Sequence, residues 1–387
     1  MAKIGDVCAS KIDTLNAAYN GKIDYIDISA VDNDKKKITN TETLQIKEAP
    51  SRARQLVECD DIIVSLVRPN LNAVAIVENS SENLQVASTG YCVLRCNQAV
   101  YSRYLFYFCQ SETFINRMTA QATGASYPAV SNSIVKNCEI PLPERNKQKE
   151  IADILDKVTG LISLRKQQLA KLDELVKARF VEMFGDVLLN SMQWPEKTLE
   201  RMADIVSGIT KGRKTTETDL QEVPYMAVSN VKDGYIDWTT VKTILATRQE
   251  IEQYRLMPDD ILMTEGGDPD KVGRGAIIKV PLKNSIHQNH IFRVRLNEQE
   301  ILPSFFAEYL RHQKAKRYFL GCAKQTTGIA SINMRQLRAL PTLVPPLSLQ
   351  KQFAAFVERV DQQKQTVQQS LEKLELMKKA LMQEYFG

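Results

Sequence analysis

The sequence predicts a mixed α/β fold in which two α/β domains alternate with two long helices, the second half repeating the first. The first observation is a repeat: residues 148–185 align without gaps to residues 350–387 at an offset of 202, with 13 of 38 positions identical. The second is a heptad pattern of apolar residues within both segments. The third is a set of short β-rich runs ahead of each segment, at offsets of 198 to 204. Together they predict two copies of one unit.

Proline-containing stops delimit the helical segments. Residues 140–143 (IPLP) and 344–347 (VPPL) each precede one of them, and proline disfavours continuation of the preceding structure into a helix. We therefore predict a first α/β domain over residues 1–143, a first helical region over 144–185, a second α/β domain over 186–345 and a second helical region over 346–387.

Each α/β domain has matching β-rich runs between turn residues. The predicted strands cover residues 61–67, 73–77 and 90–95 in the first copy, and 261–264, 275–279 and 290–295 in the second. An aromatic segment follows, and we predict one helix over residues 104–118 and its counterpart over 305–319. Further upstream, residues 4–7 are matched to 202–205, and residues 25–28 to 225–228.

The helical segments predict an antiparallel coiled coil. Apolar residues recur at alternating spacings of three and four, which is a heptad seam. Two basic residues interrupt each seam, at a cost in stability that can fix the register. About 36 residues at 1.5 Å each give a rod of roughly 54 Å, and two like units related by a pseudo-twofold axis place their helices antiparallel. The predicted coiled-coil residues are Leu155, Ile162, Leu169, Leu172 and Val176 in the first helix, and Val357, Val367, Leu371, Leu374 and Leu381 in the second.

Polar, basic and glycine-rich loops connect the predicted strands in both copies. Lysine and arginine neutralise phosphates, and arginine, asparagine, threonine and serine can read base edges, so the loop set favours contact with DNA. For any single member, an ordinary solvated loop residue is the favoured interpretation, and only the set in two matched copies favours DNA. The candidate DNA-binding residues are Lys36, Arg52, Arg54, Arg68, Asn70, Asn72, Thr123, Ser126 and Tyr127 in the first copy, and Thr210, Lys211, Arg213, Lys214, Asn230, Lys271, Arg274, Thr326, Thr327 and Ser331 in the second.

Composition and motifs favour binding over catalysis. The net charge of +5 permits a polyanionic partner without demanding one, and no apolar run reaches the roughly 20 residues of a membrane span. The start of the chain has no apolar signal region, and the seven scattered cysteines favour reduced thiols in a cytosolic protein. Phosphate-binding glycine motifs are absent. His287 and His290 lack further ligands at metal spacing, and the pairs Asp60-Asp61 and Asp259-Asp260 suit a shared turn better than a nuclease site.

With these features in place, the chain resembles the specificity subunit of type I restriction–modification systems over its whole length. The resemblance is carried by Pro141 to Pro143 with Gln148, by Pro345-Pro346 with Gln350, and by leucine-rich helices ending in Phe-Gly. A Thr-Gly pair near the end of each domain, at residues 123–124 and 327–328, completes the pattern.

This resemblance implies a non-catalytic, cytoplasmic protein whose two recognition domains each read half of a bipartite, asymmetric double-stranded DNA site. The helices would set the spacer length and dock two methyltransferase subunits, and a restriction and translocation subunit would join them. S-adenosylmethionine, ATP and Mg²⁺ would serve those partners, with no cofactor on this chain. Three alternatives remain: a specificity subunit serving a fused methyltransferase–nuclease, a coiled-coil scaffold that binds no DNA, and a methyltransferase or nuclease with its own active site.

Overall fold

A computed structural model describes residues 1–16, 18–78, 81–214, 218–326 and 328–387. The chain divides into two compact units. The first comprises residues 1–167 and 368–387, and the second comprises residues 168–367. Each unit therefore combines one α/β domain with a part of each of two long helices.

The first unit contains eleven strands within the described residues, most of them short. They are β1 (Ala2–Lys3), β2 (Lys22–Ile26), β3 (Val31–Asp32), β4 (Lys37–Ile38), β5 (Glu42–Gln45), β6 (Ala53–Leu56), β7 (Ile62–Ser65), β8 (Val74–Ile76), β9 (Leu84–Ser88), β10 (Tyr91–Leu94) and β11 (Glu139–Ile140). The helices are α1 (Ile4–Val7), α2 (Ser102–Phe108), α3 (Glu112–Ala120), α4 (Asn132–Lys136) and α5 (Arg145–Phe184), of which α5 continues into the second unit.

Two sheets organise this unit. The central sheet has the order β10-β7-β8, and its strands are antiparallel. Because side chains alternate across a strand, Ile62 and Val64 pack with the aromatic residues of α2, whereas Ile63 belongs to a second apolar cluster with Tyr91. The other sheet has the order β5-β2-β9-β6, with β2 and β9 parallel. The three strands predicted for this domain are therefore confirmed.

The second unit has the remaining elements. Its strands are β12 (Glu196–Thr198), β13 (Ala203–Ser207), β14 (Leu220–Met226), β15 (Lys242–Thr247), β16 (Ile261–Thr264), β17 (Gly266–Gly267), β18 (Gly275–Ile277), β19 (Ile286–His287), β20 (Ile291–Leu296), β21 (Lys324–Thr326), β22 (Ile329–Ser331) and β23 (Pro341–Leu343). Its helices are α6 (Arg248–Tyr254), α7 (Pro303–Arg311), α8 (Gln313–Cys322), α9 (Met334–Arg338) and α10 (Leu347–Phe386), and α10 continues into the first unit.

The second unit repeats the sheet framework of the first. Its central sheet has the order β13-β20-β16-β18, so β16, β18 and β20 take the places of β7, β8 and β10. In its second sheet β14 is parallel to β19, as β2 is to β9. A small sheet, β17-β22-β21, is added. In the first unit, isolated bridges join Val67 to Ala129 and Thr123 to Ala129 at the corresponding place.

The aromatic segments correct one prediction. Each was expected to form a single helix, but each forms two, α2 with α3 and α7 with α8. In the first unit Ser111 begins α3, and its hydroxyl accepts a hydrogen bond from the Phe114 N–H at 3.2 Å. Serine at this position caps a new helix because it satisfies a backbone donor that the helix leaves unpaired. The spacing of apolar residues alone does not predict such an interruption of the helix.

The start of each domain corrects a second prediction. Residues 4–7 were matched to residues 202–205, but the hydrogen bonds establish another register. The Asn97 N–H donates to the Val7 carbonyl at 2.9 Å, and the Asn297 N–H donates to the Met202 carbonyl at 2.7 Å. Val7 therefore corresponds to Met202. The similarity of the two short apolar segments misaligned them because the connecting loops differ in length.

A matched ion pair supports the turn before each central strand. Arg95 Nη2 lies 2.8 Å from Asp61 Oδ2, and Arg295 Nε lies 2.7 Å from Asp260 Oδ1. Both carboxylates are buried, and each also accepts from the backbone N–H three residues earlier, at 2.9 and 2.7 Å. The residue before each aspartate has a left-handed φ, 69° and 64° respectively. The shared turn predicted for the two Asp-Asp pairs is confirmed.

A buried glutamine ties each long helix to its own domain. Gln148 Oε1 accepts from the Tyr101 N–H at 2.8 Å, and its amide donates to the carbonyls of residues 99 and 143. Gln350 Oε1 accepts from the Leu302 N–H at 2.8 Å, and its amide donates to the carbonyls of residues 300 and 345. Both glutamines are almost fully buried. The same residue therefore makes the same contact within each copy of the repeat.

Within each unit the two helix segments are antiparallel. In the first unit Lys166 pairs with Glu375 at 3.1 Å, while Phe386 packs on Tyr104 of α2, whose hydroxyl donates to the Pro141 carbonyl just ahead of α5. In the second unit Lys364 Nζ lies 2.7 Å from Asp173 Oδ1, and Phe180, later in α5, packs on Phe353, earlier in α10. As the residue number rises along α5, the number of its partner falls. The antiparallel pairing predicted from the repeat agrees with these contacts.

The predicted seam residues lie on the covered side of the helices. None of them is exposed, and three of the basic residues within the seam, Arg179, Lys364 and Lys378, have aromatic or acidic neighbours. Arg179 lies over Phe356 and Lys378 over Tyr107, at 5.8 and 5.9 Å from the ring centroids. The buried seam residues are Leu155, Leu172, Val176, Val367 and Leu371, and the half-buried ones are Ile162, Leu169, Val357, Leu374 and Leu381.

None of the helices in the described residues has the length and apolar character needed to cross a bilayer.

Candidate nucleic-acid interface

In the first unit, the chain leaves β7 and forms an exposed loop beside the segment around residue 127. The Arg68 N–H donates to the Pro128 carbonyl at 2.7 Å, and the backbones of Thr123 and Ala129 bond to each other at 3.0 and 2.9 Å. The Arg68 guanidinium lies 4.8 Å from the ring centroid of Tyr127, which is 68% exposed. This contact pre-positions a cation on a solvent-facing aromatic ring. The first loop cluster comprises the exposed residues Arg68, Asn70, Thr123, Ser126 and Tyr127.

Lys36 and Asn72 are joined inside this unit, which corrects their prediction as DNA contacts. Lys36 Nζ donates to the Asn72 carbonyl at 2.5 Å and to its Oδ1 at 3.0 Å. The Asn72 amide donates to the Cys109 carbonyl at 2.8 Å, and Asn72 is 7% exposed. Burial lowers the pKa of Lys36 to about 8. The two side chains therefore anchor the loop after β7 to the end of α2 instead of facing solvent.

Arg52 and Arg54 are exposed. Arg54 Nε donates to the Ser51 carbonyl at 2.9 Å. Arg52 lines an open cleft of about 380 Å³ together with Asp27 and Glu42. Because carboxylates repel phosphate, this cleft itself is poorly suited to a nucleic-acid backbone. The two exposed arginines can still contribute positive charge to the surface.

The second unit has a corresponding loop cluster after β16. Gly266 and Gly267 pair with Ser331 and Ala330 across the added sheet, which brings the loop 265–274 against the segment after α8. Glycine at these positions allows close approach, since a Cβ at Gly266 would lie 3.0 Å from the Ala330 carbonyl oxygen. The second loop cluster comprises Glu265, Lys271, Arg274, His290 and Ser331.

The charges in this cluster have defined partners. Lys271 pairs with Asp268, and His290 Nδ1 lies 2.6 Å from Glu265 Oε2. The Lys271 ammonium, through a hydrogen bond, lowers the pKa of Asp268. Arg274 is half-buried, and its Nε has no hydrogen-bond partner among the described residues. That nitrogen is buried, so it is not a donor accessible to a ligand.

The loop at residues 210–214 supplies further exposed polar and basic groups. Thr210, Lys211 and Lys214 are exposed. Arg213 instead forms a bidentate pair with Glu250, and its hydrogen bonds lower the pKa of that carboxyl. Arg213 is therefore committed to an intramolecular contact, whereas its three neighbours are available to a polyanion.

The prediction of Asn230 as a DNA contact is also corrected. It is fully buried, and its side chain closes a turn. The Ala227 N–H donates to its Oδ1, and its amide donates to the Asp237 carbonyl, both at 2.9 Å. An asparagine with both amide groups used in a turn cannot also reach a base edge. Two predicted residues, Thr327 and the side chain of Thr326, lie outside the described part of the chain.

Sequence reasoning missed the pairing of Glu265 with His290, which are 25 residues apart. His290 was considered only as a metal ligand, and the described residues contain no group of three potential ligands that could hold a metal ion. The available signal was the strand alignment, because Glu265 follows the central strand and His290 precedes its neighbour β20. Adjacent antiparallel strands bring such positions together.

The combined chemistry of the loop clusters suits binding to a nucleic acid. Exposed arginine and lysine side chains can neutralise phosphates. The polar side chains Asn70, Ser126 and Thr210 can donate to or accept from base edges, and Tyr127 offers an exposed aromatic face. These groups lie on loops that a sheet framework holds in place, which is where binding residues are commonly found.

Comparisons with known proteins agree with this geometry. The family described as type I restriction modification DNA specificity domain matches residues 1–174 and 192–376. The chain is 21% identical over 355 residues to the EcoKI specificity subunit of Escherichia coli K12, covering 88% of this chain and 76% of that protein. It is 23% identical over 357 residues to the StySPI specificity subunit of Salmonella potsdam, covering 88% and 75% respectively.

Solved structures share the fold. A chain from a structure of complex assembly and conformational transition in the type I restriction–modification system aligns with a TM-score of 0.61 at 23% identity, covering 100% of this chain and 96% of that one. The type I S subunit from M. genitalium aligns with a TM-score of 0.59 at 16% identity, covering 100% and 95%. The two matched segments coincide with the two copies of the repeat, and the chain therefore belongs to the type I restriction modification DNA specificity domain family, as a specificity subunit with two DNA-recognition domains.

Proposed function

We infer that each unit of this chain reads one half of a bipartite, asymmetric site in double-stranded DNA. The observation that carries the inference is a matched framework with unmatched loops. The ion pairs Asp61–Arg95 and Asp260–Arg295 hold equivalent turns. The loop clusters on those frameworks carry different side chains. Two half-sites of different sequence require different contact residues, and here such residues lie on two equivalent sheet frameworks.

The long helices are proposed to set the spacer between the half-sites and to dock two methyltransferase subunits. Each helix is 40 residues long, which corresponds to about 60 Å. Apolar side chains remain exposed along both helices outside the paired seam, and exposed apolar groups on a helix favour a protein partner. They include Leu161, Leu164, Leu175, Leu376 and Met377.

Methylation and cleavage are proposed to reside in the partner subunits, with S-adenosylmethionine, ATP and Mg²⁺ bound there. The loop clusters of this chain provide binding groups on both units. Such a protein would act in the cytoplasm, beside the DNA and the restriction subunit. A fused methyltransferase–nuclease could replace the separate partners without changing the role proposed for this chain.

Salt-dependent binding of duplex DNA tests the proposal. The chain, purified with its methyltransferase partner, should bind a duplex carrying its site with an affinity that falls linearly with salt on logarithmic axes. Arg68→Ala should lower affinity and reduce that slope by about one, as expected for one lost phosphate contact. Arg201→Ala, a matched exposed arginine outside the loop clusters, serves as the control.

Two outcomes would contradict the proposal. Absence of salt-dependent duplex binding by the complex would favour a scaffold that binds no DNA. Methyl transfer by the isolated chain with S-adenosylmethionine would favour an enzyme with its own active site. Sequencing of methylated bases in cells carrying the complex would then identify the two half-sites and the spacer.

A further inference from the structure

One position on the shared framework carries different chemistry in the two units. The Leu66 N–H donates to the Gly90 carbonyl at 2.9 Å, and the Glu265 N–H donates to the His290 carbonyl at 3.0 Å. A second pair of hydrogen bonds gives the same correspondence. The Leu66 carbonyl accepts from the Val130 N–H at 2.9 Å, and the Glu265 carbonyl accepts from the Ile332 N–H at 2.8 Å. Leu66 therefore corresponds to Glu265, and Gly90 corresponds to His290, on one backbone frame.

The side chains at this position differ in polarity and exposure. Leu66 is 9% exposed and belongs to the apolar core of the first unit. In the second unit Glu265 and His290 form a hydrogen-bonded pair with side chains 34% and 57% exposed. His290 Nδ1 donates to Glu265 Oε2 at 2.6 Å, and no donor bonds to Oε1 within the described part of the chain. The pair presents an oriented acceptor to solvent.

Stability does not account for the pair. The same frame forms in the first unit with leucine and glycine, so the fold does not require an acid and a histidine here. A solvent-exposed acid–histidine pair contributes little to the free energy of folding, even when both groups are charged. Glu265 also immediately precedes Gly266 and Gly267, which pair with the segment containing Ser331. The pair therefore lies at the base of the second loop cluster.

The chemistry of the pair suits recognition of a base rather than a phosphate. A carboxylate repels the phosphate backbone, but it accepts hydrogen bonds from the exocyclic amino groups in the major groove, above all from cytosine N4. A neighbouring histidine that donates a hydrogen bond fixes the orientation of the carboxylate. A leucine at the equivalent position cannot accept a hydrogen bond.

We propose that Glu265, held in place by His290, is a specificity-determining residue of the second unit that accepts a hydrogen bond from an exocyclic amino group, foremost cytosine N4, within one half-site. The proposal rests on the DNA-reading function proposed above and deepens it. Because the first unit has Leu66 and Gly90 on the same frame, the contact contributes to the asymmetry of the site.

Mapping of methylated sites provides the test. The complex of this chain with its methyltransferase partner is incubated with a pool of duplexes in which both half-sites are randomised, and the methylated molecules are sequenced. The wild-type chain should require an amino-bearing base at one position of one half-site. Glu265→Gln should relax preference at that position by roughly five- to 100-fold, the discrimination of a good base contact, and leave the other half-site unchanged.

A double variant guards against misfolding. Glu265→Leu with His290→Gly copies the residues that the first unit has on the same frame, so the framework should be retained and the same position relaxed. Glu298→Gln, an exposed acid outside the loop clusters, is the matched control. Continued reading of the other half-site shows that each variant is folded.

The outcomes distinguish this inference from the proposed function. If the wild-type complex methylates no defined sequence, the proposed function fails and the inference fails with it. If the wild-type complex has a defined site and both variants keep an unchanged preference at every position, only the inference is overturned. A uniform loss of methylation on all sequences by both variants would also overturn it, because the predicted effect is confined to one position.

Discussion

At the scale of single residues, equivalent positions of the sheet framework are occupied by chemically different residues in the two units. His287 lies on β19, where the parallel partner strand brings it beside Met226, while Ala87 occupies the corresponding place beside Ile26. His287 is fully buried, and its ring nitrogens lie 3.3 Å from the carbonyls of residues 254 and 206. A small apolar residue in one copy and a buried imidazole in the other are both compatible with the sheet.

Acidification should destabilise the second unit through His287. Burial is the main cause that lowers the pKa of His287 to about 4, with Arg293 also lowering it and Asp260 opposing the change. The unfolded chain therefore binds a proton first, at a pKa of about 6.5, so stability present above that pH is lost as the pH falls towards 4. The contribution is on the order of 3 kcal/mol.

Urea denaturation followed by tryptophan fluorescence measures this effect. Trp194 and Trp238 are the two tryptophans of the chain, and both lie in the second unit. The wild-type midpoint should fall between pH 6.5 and 4, and His287→Ala, which copies Ala87 of the first unit, should show a smaller fall. An equal fall in both proteins would refute a role for His287.

At the scale of elements, a few side-chain contacts decide how each helix meets its domain. The buried amide of Gln350 bonds to Leu302 N and to two carbonyls, which joins the start of α10 to the start of α7. Gln148 does the same between α5 and α2. Proline-rich segments end the preceding strands, but the glutamines determine where the helices attach.

Gln350→Ala should lower the free energy of unfolding of the second unit by about 2–4 kcal/mol. The substitution leaves a buried backbone N–H and two carbonyls without partners, and unsatisfied buried groups are costly. Tryptophan-monitored urea denaturation again provides the measurement. Gln363→Ala, at an exposed position on the same helix, should have almost no effect. Equal effects of the two substitutions would argue against a stabilising role of the buried Gln350 hydrogen bonds.

At the scale of the whole molecule, the duplication separates shared from divergent parts. The turns, ion pairs and glutamine contacts recur in both units, whereas the loop clusters differ in length and charge. An assembly platform with two copies of one partner needs the shared parts to be alike, and an asymmetric DNA site needs the loops to differ. The pattern of similarity in the chain follows that division.

Deleting one heptad from α5, such as residues 162–168, should change the spacer requirement without changing the bases read. Seven residues correspond to about 10 Å of helix, or about three base pairs. Sequencing of methylated sites measures the spacer directly. Ser163→Ala within the same heptad is the control, and an unchanged spacer in a functional deletion variant would refute the proposed role of the helices.

The sequence alone predicted much of this architecture because the repeat acts as an internal alignment. The strands around residues 62 and 261, the turns at the Asp-Asp pairs and the antiparallel helices all follow from offsets and heptad spacing. These features are local or periodic, so residue spacing contains them. The division of the aromatic segments into two helices was missed because apolar spacing continues across the break, which lies at the Ser111 cap in the first unit and at His312 in the second.

Only the tertiary structure decided which polar residues face solvent. Lys36, Asn72, Arg213 and Asn230 have the composition of DNA-binding residues, but their side chains are used by partners far along the chain or in a buried turn. Conversely, Glu265 and His290 meet only because β16 and β20 are adjacent. Residue type specifies the chemistry of which a side chain is capable, whereas strand pairing and burial determine whether that chemistry reaches the surface.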